Sequence, residues 1–215
     1  MKRFFLIICL FFAASILPRC SSDDSSQEAI QASRDYVVVI DAAHGGKDPG
    51  AILEPEGVTE KGIVLEFCKK LKTEFDNENI NTLLLREEDR FVSFEEKLNK
   101  VEQSGAELIL SFHNNMAHHP EKHGYGTFYK ESDITSMRLD SLIHEEINSL
   151  NIFEDTGSQH GPFYLMRKTA APSVTIYLGY LSNPDDLKKI TDDEVQKTIA
   201  AAIVRAVKKF RNVPA

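Results

Sequence analysis

One segment organises the rest of this chain: Val37-Val38-Val39-Ile40-Asp41-Ala42-Ala43-His44-Gly45-Gly46. Its first four residues are β-branched, a run typical of a buried strand, and the strand is predicted to stop at a turn. The turn places His44 beyond the end of the strand, where a metal or a substrate can reach it. The two glycines that follow permit unusual backbone angles and remove side chains from around the histidine.

After this strand, short apolar runs typical of strands alternate with segments whose apolar residues have helical spacing. Predicted strands cover residues 36–41, 80–85, 107–111, 125–129, 163–166 and 173–181. Predicted helices cover residues 59–75 and 132–150, and two more begin at capping boxes, residues 93–96 and 191–194. This alternation predicts an α/β fold: a mostly parallel, twisted sheet of about six strands, with helices on both faces, in a single domain.

Composition limits the class of protein and its partners. The chain has 215 residues, of which 42% are hydrophobic and 13 are Phe, enough for one core of ordinary size. The formal net charge is -8. Because phosphate binding needs a basic face, this charge argues against nucleic acid as a partner. Cys68 is the single cysteine of the predicted folded body, so no disulfide is expected within it.

The first 33 residues are interpreted as a leader and a tether. Residues 1–19, a basic head followed by an apolar run, are predicted to be a signal peptide. The end of this segment resembles a lipoprotein cleavage box, which predicts a lipid on Cys20, although Arg19 stands where a small residue is usual. The alternative is cleavage elsewhere and a soluble periplasmic product. Residues 20–33 are predicted to be a flexible tether, and residues 34–213 the folded domain.

Two histidines are predicted to meet at one edge of the sheet. His44 and His113 each follow a predicted strand, and ligand sites in such sheets lie beyond the carboxyl ends of the strands. A third ligand would complete a zinc site with an open position for water or substrate. The candidates near the first loop are Glu54, Glu56 and Glu60, and spacing alone does not choose among them.

The chain resembles the zinc-dependent N-acetylmuramoyl-L-alanine amidases. The matching segments occur in the order typical of that family: residues 38–51, 57–61, 85–86, 91–97, 111–115, 165–167 and 172–184. The resemblance implies that His44, Glu60 and His113 bind Zn²⁺. It also implies that the substrate is the amide between the lactyl group of muramic acid and L-alanine in peptidoglycan.

This chain departs from the pattern of the family at the position of the general base. In the family, the strand that corresponds to residues 173–181 carries a glutamate, which serves as the general base. This chain has Tyr177 at that position. A phenol titrates near ~10, so it is a poor base at neutral pH. Two smaller departures are Ala42-Ala43 in place of Pro-Gly and Asn114 in place of Ala. Arg86, Asn114 and Arg167 are candidate substrate-binding residues, and the two arginines can alternatively anchor the sheet edge.

The sequence therefore predicts an amidase-like zinc hydrolase of the bacterial cell envelope with weak or lost activity. We expect it to act on peptidoglycan as a monomer, anchored to a membrane through the lipid on Cys20, facing the periplasm or the cell surface. The alternative is a catalytically degenerate lipoprotein that holds zinc and peptidoglycan in a binding or regulatory role. Only Tyr177 separates the two hypotheses.

Overall fold

A computed structural model describes residues 37–212 of the chain. Its strands are β1 Val37–Ala42, β2 Ile52–Leu53, β3 Val58–Thr59, β4 Thr82–Leu84, β5 Ala106–Asn115, β6 Tyr125–Tyr129, β7 Asp155–His160 and β8 Ser173–Tyr180. Its helices are α1 Glu60–Asn77, α2 Phe94–Ser104, α3 Ile134–Asn148, α4 Tyr164–Lys168, α5 Pro184–Thr191 and α6 Asp193–Asn212. The predicted signal peptide, the lipid site Cys20 and the tether over residues 20–33 lie outside the described residues.

Six of the strands form one sheet in the order β4-β1-β5-β8-β6-β7. Pairing is parallel from β4 through β8, and β6 then runs antiparallel to β8. The prediction of a single α/β domain with a mostly parallel six-stranded sheet is confirmed. Since the carboxyl ends of β1, β5 and β8 lie at one edge, residues that follow these strands are brought together there.

Side-chain alternation along β1 and β5 sends apolar residues to both faces of the sheet. The larger core lies between the sheet and helices α1, α3 and α6, and it includes Val38 and Ile40. A smaller core on the opposite face holds Val39 and Ile109 under α2 and α4. Helices therefore cover both faces, as predicted. Among the described residues, no helix is both long enough and apolar enough to cross a membrane.

The prediction of a strand over residues 163–166 is wrong, because this segment is the short helix α4. The Arg167 amide donates to the Phe163 carbonyl and the Thr169 amide donates to the Leu165 carbonyl, which is helical pairing. A short apolar run does not by itself distinguish a strand from a buried helical turn. Strand β7 was not predicted, because all six of its residues are exposed and give no apolar alternation.

The two predicted capping boxes have different outcomes. Ser93 caps α2, since its Oγ accepts a hydrogen bond from the Glu96 amide over 3.1 Å. The second box is displaced by one residue: Asp192, rather than Thr191, accepts from the Val195 amide at the start of α6. Thr191 instead belongs to α5, a helix that the sequence did not predict, and its hydroxyl donates to the Leu187 carbonyl.

Candidate functional site

Three side chains from separate elements converge at the carboxyl edge of the sheet. His44 follows β1 in a left-handed conformation with φ 60°, His113 lies near the end of β5, and Glu60 is the first residue of α1. Their candidate ligand atoms all lie within 4.8 Å of one another. Glu54 and Glu56 are exposed and lie outside this cluster. Within residues 37–212, this is the one group of three or more His, Cys, Asp or Glu residues that could hold a metal ion.

Glu60 is the centre of the cluster and is only 4% exposed. Its Oε1 lies 2.8 Å from His113 Nδ1 and 3.2 Å from His44 Nε2, and its Oε2 accepts from the Ala51 amide over 3.0 Å. Burial raises the pKa of Glu60, but the hydrogen bonds from His113, His44 and Ala51 outweigh it and hold the pKa well below the usual value. The carboxylate is therefore ionised and available as a ligand at neutral pH.

A second carboxylate orients His44. Asp48 Oδ2 lies 2.9 Å from His44 Nδ1, which leaves Nε2 of the same ring facing Glu60. The hydrogen bond with Glu60 raises the pKa of His44; burial opposes the rise and Asp48 adds to it. A carboxylate on the far nitrogen is the usual support of a metal-binding histidine. Asp48 was missed by sequence reasoning, although its place four residues after His44 was an available signal.

Gly50 allows the backbone to pass close to this cluster. A Cβ atom added there would lie 2.6 Å from Glu60 Oε2 and 2.6 Å from His44 Cδ2, and the residue has φ +66°. Both distances are shorter than side chains tolerate, so only glycine fits between the first loop and the two side chains. The loop between β1 and α1 therefore packs directly against the side chains of His44 and Glu60.

Tyr177 lies directly beside His113 on the neighbouring strand. The two residues are register partners, and their rings stack with centroids 4.8 Å apart and planes inclined by 16°. Phe128 and Phe163 pack against the same phenol ring. Burial, with a smaller contribution from the charge of Glu60, raises the pKa of Tyr177 to about 12. The phenol is therefore neutral and unable to act as a base near pH 7.

The candidate substrate-binding residues have different environments. Arg86 is only 1% exposed and donates to the backbone carbonyls of Ala42, Ala43, Lys61 and Glu88, which favours the alternative in which it anchors the sheet edge. Asn114 is buried, and its side-chain amide donates to the Leu178 carbonyl. Arg167 is exposed on α4, and a role in substrate binding stays a prediction for it.

A cavity of about 200 Å³ opens at the cluster of His44, Glu60 and His113 and extends along the face of the sheet that α2 and α4 cover. His44, His113 and Asp48 line its mouth. Its lining also includes Asp41 and Lys97, which form a buried ion pair. Sequence reasoning did not identify this pair, because its members are 56 positions apart and belong to different elements.

Comparison with known proteins agrees with the fold. Residues 38–209 match the Amidase_3 family, described as N-acetylmuramoyl-L-alanine amidase. The chain belongs to this family.

Three similar proteins illustrate the relationship. An uncharacterized Bacillus subtilis protein, YqiI, is 32% identical over 80% of this chain and 84% of its own length. The sporulation-specific N-acetylmuramoyl-L-alanine amidase of Bacillus subtilis is 27% identical over 82% of this chain and 68% of its own. The crystal structure of an N-acetylmuramoyl-L-alanine amidase from Clostridium difficile 630 superposes with a TM-score of 0.80 at 26% identity, covering 85% of this chain and 100% of the other.

Proposed function

We propose that this protein is a zinc-dependent hydrolase of the bond between the lactyl group of muramic acid and L-alanine in peptidoglycan, and that its hydrolysis is slow. The observation that carries the proposal is the cluster of His44, Glu60 and His113 at the carboxyl edge of the sheet. Family membership supports the substrate class, and Tyr177 supports the low rate.

The residues of the cluster fit a zinc ion. Two imidazoles and one carboxylate are the ligands of a known class of catalytic zinc sites, in which the fourth position stays open. The low pKa of Glu60 keeps one ligand ionised, and Asp48 orients the ring of His44. When bound, zinc polarises the amide carbonyl and lowers the pKa of the attacking water.

The chain's own residues determine how well the reaction proceeds. A base must take the proton of the attacking water and deliver it to the leaving nitrogen. The resemblance puts Tyr177 at the position of this base, and a neutral phenol can donate a hydrogen bond but is a poor acceptor of that proton. Hydrolysis by this chain therefore lacks the rate contribution of a carboxylate base.

We place the protein in the bacterial cell envelope, held to a membrane by a lipid on Cys20. The apolar leader and the cleavage box support this placement, and so does the match to cell wall amidases such as the probable cell wall amidase LytH of Staphylococcus epidermidis. The tether over residues 20–33 would let the domain reach peptidoglycan from the membrane surface.

Loss of one ligand is expected to remove both zinc and activity. Purified residues 34–215 should bind one zinc ion per chain and slowly release stem peptides from purified peptidoglycan. His113→Ala is expected to weaken zinc binding by more than about 100-fold, because it removes a ligand. Loss of a residue that only supports a ligand typically costs about 10–100-fold. His118→Ala, in an exposed loop outside the cluster, is the matched control and should keep both properties. Zinc content is measured by elemental analysis, and products by chromatography.

Two results would overturn the proposal. If the wild-type chain binds no zinc, or if His113→Ala changes neither zinc content nor peptide release, the cluster is not the catalytic centre. If zinc is bound and peptidoglycan is retained with no cleavage on prolonged incubation, the protein is a binding lipoprotein rather than an enzyme.

Gly50→Ala is expected to weaken zinc binding by about 10–100-fold, as loss of a supporting contact does. The added methyl group would collide with Glu60 Oε2 and His44 Cδ2, so both ligands must move. Gly57→Ala is the matched control: Gly57 has φ +68°, nearly the same as Gly50, but a Cβ there meets no atom within 4 Å. Equal zinc affinities in the two variants, measured by competition with a chelating dye, would show that the close approach at Gly50 is unimportant.

A further inference from the structure

The cavity beside the metal cluster has the size of a subsite. Its volume of about 200 Å³ is below the roughly 300–1,000 Å³ of sites that enclose a whole small ligand. Because His44 and His113 line its mouth, a substrate held at the cluster would have its nearest substituent at the entrance. The cavity therefore fits one substituent of a larger molecule.

The lining of the cavity has an apolar part and a polar part. The apolar part includes Val92, Ile109, Leu165 and Met166. Phe94 and Tyr164 lie at the rim with ring centroids 5.1 Å apart, and Phe94 is 63% exposed. Exposed aromatic rings beside a cavity offer a flat apolar surface against which a sugar ring can pack. A ligand group that fits this cavity therefore has an apolar part, and the rest of the ligand contacts the aromatic rings of Phe94 and Tyr164.

One part of the cavity lining is polar and buried. Lys97 Nζ lies 2.7 Å from Asp41 Oδ1, and the two side chains are only 6% and 8% exposed. Ser111 Oγ donates to Asp41 Oδ2 over 3.4 Å. Lys97 carries three N–H donors, and its ammonium group forms an ion pair with Asp41, whose Oδ1 accepts no hydrogen bond from residues 37–212. Spare donors of a buried lysine are costly unless a ligand or water satisfies them.

The pairing of Lys97 with Asp41 selects a neutral group that both accepts and donates hydrogen bonds. A carboxylate entering the cavity would approach the negative Asp41, and an ammonium group would approach the positive Lys97. An amide meets neither problem, since its carbonyl accepts from Lys97 and its N–H donates to Asp41. A methyl group on that amide would contact the apolar wall. The acetamido group, CH₃–CO–NH, combines all three features.

We propose that this cavity binds the 2-acetamido group of the muramoyl residue whose lactyl amide lies at the metal cluster. The proposal rests on the proposed function. The acetamido group and the lactyl ether occupy adjacent carbons of the muramoyl ring, so a substrate with its lactyl amide at His44 and His113 has this group within reach of the cavity mouth. The cavity is then a specificity subsite that distinguishes N-acetylated from unacetylated glycans.

The test compares ligands that differ in one group, using the zinc-loaded chain and isothermal titration calorimetry. The reference ligand is N-acetylmuramoyl-L-alanyl-D-isoglutamine. An analogue with a 2-hydroxyl in place of the acetamido group removes the amide without adding charge. It is expected to bind at least about 10-fold more weakly, because it loses hydrogen bonds to the charged Lys97 and Asp41. An analogue with D-glutamate in place of D-isoglutamine removes only the carboxamide at the peptide end and should bind within about twofold of the reference, because the acetamido group is intact.

Variants of the cavity test the same contact from the protein side. Lys97→Met should abolish the preference for the acetamido ligand over the 2-hydroxy analogue. Lys100→Met, one turn further along α2, is the matched control and should retain the preference, because Lys100 donates to the Leu85 carbonyl outside the cavity. Should Lys97→Met fail to fold, Ser111→Ala, which removes the hydroxyl that donates to Asp41 in the cavity lining, should reduce the preference by about 3-fold or more.

The outcomes separate this proposal from the function on which it rests. Equal affinity for the acetamido and 2-hydroxy ligands overturns the subsite and leaves the metal centre untouched. Weaker binding only of the D-glutamate analogue also overturns it, because the amide recognised would then be in the peptide. Absence of binding by every muramoyl ligand to a zinc-loaded chain counts against the proposed function itself.

Discussion

Tyr177→Glu is expected to increase the rate of stem-peptide release by about 10²–10⁴, the usual contribution of a general base. The phenol ring of Tyr177 stacks on His113, so a carboxylate at this position on β8 would lie beside the cluster. Glutamate ionises near ~4.3 in its ordinary state, which makes it a base at neutral pH, whereas the pKa of Tyr177 is raised to about 12. The measurement is the initial rate of peptide release from purified peptidoglycan at saturating zinc.

Two further variants at the same position separate basicity from shape. Tyr177→Gln has nearly the size of glutamate but no basic oxygen, and it should stay as slow as the wild-type chain. Tyr177→Phe removes only the hydroxyl, and it should also leave the slow rate almost unchanged if the phenol takes no part in proton transfer. A large loss of rate in Tyr177→Phe would mean that the phenol itself serves the reaction. A Tyr177→Glu variant that binds zinc yet is no faster would refute the role assigned to this position.

Arg86→Ala is expected to reduce the free energy of unfolding by about 3–5 kcal/mol, because several buried carbonyls lose a charged donor. The guanidinium of Arg86 bonds the carbonyls of Ala42 and Ala43 after β1, of Lys61 in α1 and of Glu88 after β4. It therefore connects the segments that carry His44 and Glu60. Urea unfolding followed by circular dichroism measures the change.

Two controls distinguish this anchoring role from substrate binding. Arg90→Ala removes an exposed arginine paired with Glu96, and it should change stability by less than about 1 kcal/mol. Arg86→Lys keeps the charge but lacks the planar fork of donors, so it should recover only part of the loss. If Arg86→Ala left stability unchanged and only raised KM for peptidoglycan, Arg86 would be a substrate contact and the anchoring interpretation would be wrong.

Strong periodic signals in the sequence were sufficient for most of the fold. The β-branched run before His44 predicted β1, and the amphipathic stripe after Thr59 predicted α1, because burial of one face requires regular apolar spacing. The errors occurred where this signal is weak. Residues 163–166 are apolar but too few to show a period, and the polar strand β7 owes its place to backbone pairing with β6.

The candidate site was predicted in part. Two strands ending in histidines predicted His44 and His113, since parallel strands share one carboxyl edge. The resemblance to the amidase family selected Glu60, whereas spacing alone left Glu54 and Glu56 open. In the folded chain Glu60 begins α1 inside the core, and the other two acids lie exposed on the loop that precedes it.

Local residue patterns were sufficient to predict most strands and helices and the resemblance to the family, and the same resemblance predicts the departure at Tyr177. The folded structure was needed to show that Arg86 bonds backbone carbonyls and that Lys97 pairs with Asp41 near the cluster of His44, Glu60 and His113. The physical reason is that such contacts join residues whose separation along the chain carries no periodic signal. These contacts form only after the helices have packed against the sheet.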